Sequence, residues 1–86
     1  MQDLKEAAKS AIMVQSACNL SGVIRSFVSA IDVIIKHDHQ GTDYINRHPI
    51  CILYATQVAH LTGQMLDIDN STYDAAYNEC ERIACS

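Results

Sequence analysis

Apolar residues recur along this chain at intervals of three and four, the period of an α-helix, in separate stretches divided by polar breaks. Over residues 2–18, Leu4, Ala7, Ala8, Ala11, Ile12 and Gln15 fall on one face, with Lys5 and Lys9 on others. Alanine dominates this first predicted helix, which favours helix formation and leaves little side chain to grip a neighbour, so it packs closely or frays. Asn19, Ser21 and Gly22 then interrupt the pattern; Asn19 or Ser21 could cap a new helix, or one helix could run through with a kink.

The clearest period lies over residues 20–37. Leu20, Val23, Ile24, Phe27, Ile31, Ile34 and Ile35 form a single apolar stripe with Val28 beside it, while Arg25, Ser26, Ser29, Asp32 and Lys36 fall elsewhere. The β-branched run Val33, Ile34 and Ile35 lowers helix propensity, but the 3.6-residue period outweighs it. Residues 37–43 read as a polar loop turned by Gly41.

A third helix is predicted over 49–62. Pro49 suits a first helical turn, Asn46 or His48 can cap it, and Gly63 stands where a left-handed residue closes a helix. Ile50, Cys51, Ile52, Leu53, Tyr54 and Ala55 are apolar on every side, the mark of the central helix. A short strand over 50–55 is the competing assignment, but no other segment offers it a partner. After a turn at 66–70, a fourth helix over 71–85 gathers Tyr73, Ala76, Tyr77, Cys80, Ile83 and Ala84 on one side. Ser71 with Asp74 three residues later resembles a capping box.

Composition agrees with this pattern. The 86 residues include one Pro and three Gly, too few for the turns of a β-rich domain of this size. Nearly half the residues (49%) are hydrophobic, an ordinary share for a folded protein and far from disorder. The expected fold is therefore all-α, a compact bundle of three to four helices forming a single domain over residues 1–86. The apolar content is high for so small a core, which allows a homodimer.

The net charge of −4 is not spread evenly. Lys5, Lys9, Arg25, Lys36 and Arg47 balance Asp3, Glu6, Asp32, Asp38 and Asp43, whereas residues 66–86 set Asp67, Asp69, Asp74, Glu79 and Glu81 against Arg82 alone. The cations form no cluster able to displace counterions from phosphate, so direct nucleic-acid binding is not expected. The acidic end is either a solvated helix face or a surface that meets a basic partner.

Asp3 and Glu6 occupy the place where a cleavable signal needs a basic start, and no run reaches the ~18 apolar residues that span a bilayer. Ser16-Ala17-Cys18 has only a faint likeness to a lipoprotein cleavage box, since Gln15 stands where an apolar residue belongs. A cytoplasmic location without membrane contact is expected, with Cys18, Cys51, Cys80 and Cys85 reduced and acting mostly as small hydrophobes.

The chemistry-bearing residues assemble no recognisable active site, and no cofactor is expected. His37 and His39, with Asp38 or Asp43 as an oxygen ligand, could hold a metal from an extended loop, which makes a small metal- or ligand-binding domain the alternative reading. Their position after a helix explains them equally well, because His and Lys favour the negative end of a helix dipole. His48 and Cys51 share helical spacing as a nucleophile pair would, but Cys51 lies in the most apolar stretch of the chain, where a thiol is inert. Asp67-x-Asp69-x-Ser71 opens like a calcium loop and then fails, with Thr72 at the glycine position and Asn78 at the bidentate glutamate position. Neither glycine-rich phosphate-binding motif occurs. A helix-turn-helix about residues 19–22 would carry only Arg25 and Lys36 on its second helix.

The segment 43–50 is the most distinctive. Asp43, Tyr44, Arg47 and His48 crowd a helix entrance, either as a capping network with Tyr44 and Ile45 as a hydrophobic staple or as a contact surface. This segment also carries a resemblance. Residues 17–23 (Ala-Cys-Asn-Leu-Ser-Gly-Val) with Ser26 and Phe27, residues 41–43 (Gly-Thr-Asp), residues 46–50 (Asn-Arg-His-Pro-Ile) and residues 59–63 (Ala-His-Leu-Thr-Gly) resemble a group of short proteins encoded by phages, plasmids and other mobile elements. The similarity spans roughly residues 11–63 and transfers no functional residue, because no activity is assigned to those motifs. What it implies is context: small accessory proteins of this provenance often inhibit a host defence machine, as anti-CRISPR proteins do.

The expectation is thus a non-enzymatic protein that binds a host protein or complex and occludes part of its surface. The residues expected to touch that partner are Asp43, Tyr44, Arg47 and His48 from the loop, and Asp67, Asp69, Asp74 and Glu81 from the acidic end.

Overall fold

Asp3 starts the first helix. Its side chain accepts a hydrogen bond from the Glu6 N–H (3.0 Å), satisfying a donor that the first helical turn leaves open. The computed structural model describes residues 3–37 and 47–86. Helix α1 spans Leu4–Met13 and tightens into a 3-10 turn at Val14–Ser16, after which Ala17 is extended and the helix ends. The first helix therefore stops short of Cys18, and the chain breaks rather than kinks. Asn19 accepts from the Gly22 N–H (3.2 Å) at the start of α2, Leu20–His37.

Helix α3, Pro49–Thr62, begins with Pro49 in its first turn and His48 as its cap. It ends at Gly63, whose φ of 70° puts it in the left-handed region. The Gly63 N–H donates to the His60 carbonyl and the Gln64 N–H to the Ala59 carbonyl, which makes a Schellman cap. Helix α4 spans Asn70–Cys85. Its cap is Asp69, which accepts from the Thr72 N–H at 2.7 Å, so the box expected from Ser71 and Asp74 does not start this helix. Asp69 lies one residue before the first helical position, where its carboxylate reaches the open N–H groups; Ser71 is already inside the helix.

These four α-helices form a compact all-α bundle, with no strand among the described residues. Its radius of gyration, 11.9 Å, matches the roughly 12 Å expected of a folded chain this long. Helix α3 is central, with Ile50, Leu53 and Tyr54 fully buried. Ala7, Ala8 and Ala11 of α1 are also fully buried, so the alanine face allows close approach instead of fraying. On α4, Ala76 and Cys80 face inward with Tyr73, Tyr77, Ile83 and Ala84 packed beside them, as the sequence pattern requires.

Helix α2 buries only part of its apolar stripe. Val23, Ala30, Val33 and Ile34 are buried, and Phe27 stacks on Tyr54 of α3 with ring centroids 5.2 Å apart. Ile24 and Ile35 of the apolar stripe, and Val28 beside it, are exposed. The reason is position: among the described helices α2 packs mainly against α1 and α3, which lie on one side of it, so they cover only part of its wide apolar arc.

Candidate functional site

The acidic end resolves into an ordered ridge. On α4, Asp74, Asn78, Glu81 and Cys85 are all exposed, and their spacing of four, three and four residues aligns them down one side, beside the half-buried Tyr73 and Tyr77. Tyr73 and Tyr77 pack with each other, ring centroids 6.4 Å apart. Two carboxylates of this region are engaged. Asp69 caps α4, and the Thr72 side chain and backbone N–H hold its carboxyl below the ordinary range. Glu79 forms an ion pair with Arg82 on the same helix; its carboxyl is lowered and the guanidinium raised by that contact. Asp67, Asp74 and Glu81 keep their charge outward with no ion pair among the described residues, so the negative field of the region falls largely on them.

The other half of the expected contact surface does not assemble around His48. That side chain is only 5% exposed, and its Nδ1 accepts from the Ile50 N–H at 3.2 Å. The extended backbone before Pro49 turns the ring back over the helix start, so His48 belongs to the capping network and not to an outer surface. Arg47 is exposed beside it. Asp43 and Tyr44, like His39 of the candidate metal loop, lie outside the described residues; His37 ends α2 and is exposed.

The two buried thiols are held in their protonated form. Burial pushes Cys51 up to about 11 and Cys80 to about 12, so neither is a thiolate near neutral pH. Cys18 and Cys85 are exposed, and all four thiols are free. Among the described residues, no three or more of His, Cys, Asp and Glu gather as a metal site would require.

Two concavities flank the segment between α3 and α4. A cleft of about 330 Å³ is walled by residues that include Thr56, His60, Gln64, Asp69 and Tyr73. Two of its polar groups are already committed to the fold: the Asp69 carboxylate caps α4, and the Tyr73 hydroxyl donates to Gln15. A smaller apolar hollow of about 160 Å³ lies between Phe27, Ile52 and Leu66. No described helix is long and apolar enough to cross a membrane. No protein-family model, curated protein or solved structure matches the chain.

Proposed function

We propose that this chain is a non-catalytic protein-binding protein that docks on a basic protein surface through the α4 ridge and occludes it. The observation that carries this reading is the alignment of Asp74 and Glu81 on one exposed side of α4, with Asp67 in the segment before it, in a region that holds the whole net charge. A solvated helix face would need carboxylates only somewhere outward. Here the outward carboxylates share one edge next to two tyrosines, a residue type enriched where proteins meet. Complementary fields of this kind speed encounter and reject wrong partners more than they tighten binding.

The partner would be a cytoplasmic host protein or complex, and the effect would be inhibition. The resemblance to proteins of mobile elements supports a defence machine as the target. Three measurements test this reading in turn. Immobilised protein should capture a host factor, and the purified pair should associate more slowly as salt rises. Asp74→Lys with Glu81→Lys should slow association further while the fold stays intact. Association that is indifferent to both would rule out the ridge. A host with an active defence system should be infected more efficiently by a targeted phage when it expresses the protein; unchanged infection would refute the inhibitor role.

A further inference from the structure

Helix α2 carries an apolar stripe that its own bundle does not use. Ile24, Val28 and Ile35 are 44%, 63% and 49% exposed, and the half-buried Ile31 lies between them. Their spacing of four, three and four residues keeps all four within about 60° of the helix circumference at 3.6 residues per turn. This is the seam spacing of a two-helix coiled coil, in which each apolar residue fits between residues of a facing helix. The flanks of the stripe differ. On one side stand Phe27 and Ile34, already committed to the core of this chain; on the other stand Arg25 and Asp32. Asp32 is exposed and holds Lys36 at 3.0 Å, and Arg25 is exposed with no ion pair among the described residues.

We infer that this face is the interface between two copies of the chain, paired antiparallel about a two-fold axis. The argument rests on self-complementarity. In an antiparallel pair, Ile24 meets the partner's Ile35, and Val28 meets the partner's Ile31. The same register brings Arg25 beside the partner's Asp32, and by symmetry Asp32 beside the partner's Arg25. A parallel pair would set each charged flank against the apolar flank of the other copy, and neither charge would find an opposite. The stripe is short, so the dimer belongs with small interfaces, those burying less than about 1,200 Å² in total, and it forms and parts with concentration. Helix α4 packs against α1 and α3, so pairing through α2 leaves both acidic ridges open. The dimer does not depend on their use.

Sedimentation velocity of the full chain, with reductant to keep Cys18 and Cys85 from cross-linking, tests this across a concentration series into the millimolar range. The mass should rise from one chain to two. Val28→Asp should weaken pairing by about tenfold or more while helicity and melting stay close to wild type, because Val28 is mostly exposed. Charge reversal supplies the sharper test. Arg25→Asp alone and Asp32→Arg alone should each be monomeric, since each sets like charges together, and an equimolar mixture of the two should form a heterodimer. A wild-type chain that stays monomeric throughout overturns the inference, as does a dimer unaffected by Val28→Asp. A mixture no more associated than its components overturns the antiparallel pairing.

Discussion

The Tyr73 hydroxyl donates to Gln15 Oε1 at 2.8 Å, joining α4 to the 3-10 turn that follows α1. The same Gln15 amide donates through Nε2 to the Leu53 carbonyl of α3 and to the Ala11 carbonyl, each at 2.9 Å. One side chain therefore links three helices, and the Leu53 carbonyl inside α3 accepts a second hydrogen bond from it. Gln57 makes a second link of this kind, donating to the Ala17 carbonyl at 2.7 Å. Tyr73→Phe should cost about 0.5–1.5 kcal/mol, the net worth of one partly buried hydrogen bond. In a double-mutant cycle with Gln15→Ala, chemical denaturation should reveal a coupling of about 0.5 kcal/mol or more; additive effects would mean that the bond contributes nothing to stability.

Leu53 is fully buried at the centre of α3. Leu53→Ala should cost about 2–5 kcal/mol, the lost transfer energy plus that of the cavity left behind. For a domain this small, that should unfold much of the population at ambient temperature. A melting temperature within a couple of degrees of wild type would contradict the central place of α3.

The cysteines divide into two classes. Cys18 and Cys85 are exposed, and Cys51 and Cys80 are enclosed with raised pKa values. At pH 8 a thiol reagent should label two sites quickly and the other two only at the rate of unfolding. The buried pair also fixes an alkaline limit. Both thiols titrate at higher pH in the folded chain than in the unfolded one, so the folded state binds more protons as pH rises above about 9. Their contribution is fully present below that point and is lost as pH climbs towards 11–12. Replacing Cys51 and Cys80 with Ala should lower stability at neutral pH through the cavities, and flatten this alkaline decline.

Acid acts through the opposite sign. Asp69 and Glu79 have folded-state pKa values below their ordinary ones, so the unfolded chain binds more protons as pH falls below about 4–5. Their contribution is present above that range and is lost as pH drops through the folded values. Asp69→Ala should lower the melting temperature at pH 7 and shrink the further drop between pH 5 and 3. A variant with the same acid limb as wild type would show that the cap does not govern it.

Much of the fold was legible in local pattern. The bounds of α2 and α3 follow from the helical period, Pro49 and the glycine at 63, because each signal acts within a few residues of the helix end it marks. The cap of α4 was harder to read, since Asp69 and Ser71 stand two residues apart and both have the chemistry of a cap. Gln15 follows the apolar period of α1, and nothing local distinguishes it from the rest of that face. Its role as a link depends on Leu53 and Tyr73, 38 and 58 residues away in the chain. The candidate site was legible to the same degree: the Asp74–Glu81 edge follows from helical spacing, whereas the helix-entrance position of His48 fits both a cap and an outer surface, and only the folded chain shows it buried.

By itself, then, the sequence determined the all-helical class, the near limits of the helices and the acidity of the last quarter, because these arise from neighbours one or two turns apart. Tertiary structure decided which part of a wide apolar arc became core. On α2 the period admits Val23, Ile24, Phe27, Val28, Ile31, Ile34 and Ile35 alike. Only the placement of α1 and α3 buries Val23 and Ile34 and leaves Ile24, Val28 and Ile35 facing outward. Periodicity specifies a face to within a turn of the helix, and packing selects within it, because a neighbouring helix covers only the side on which it lies.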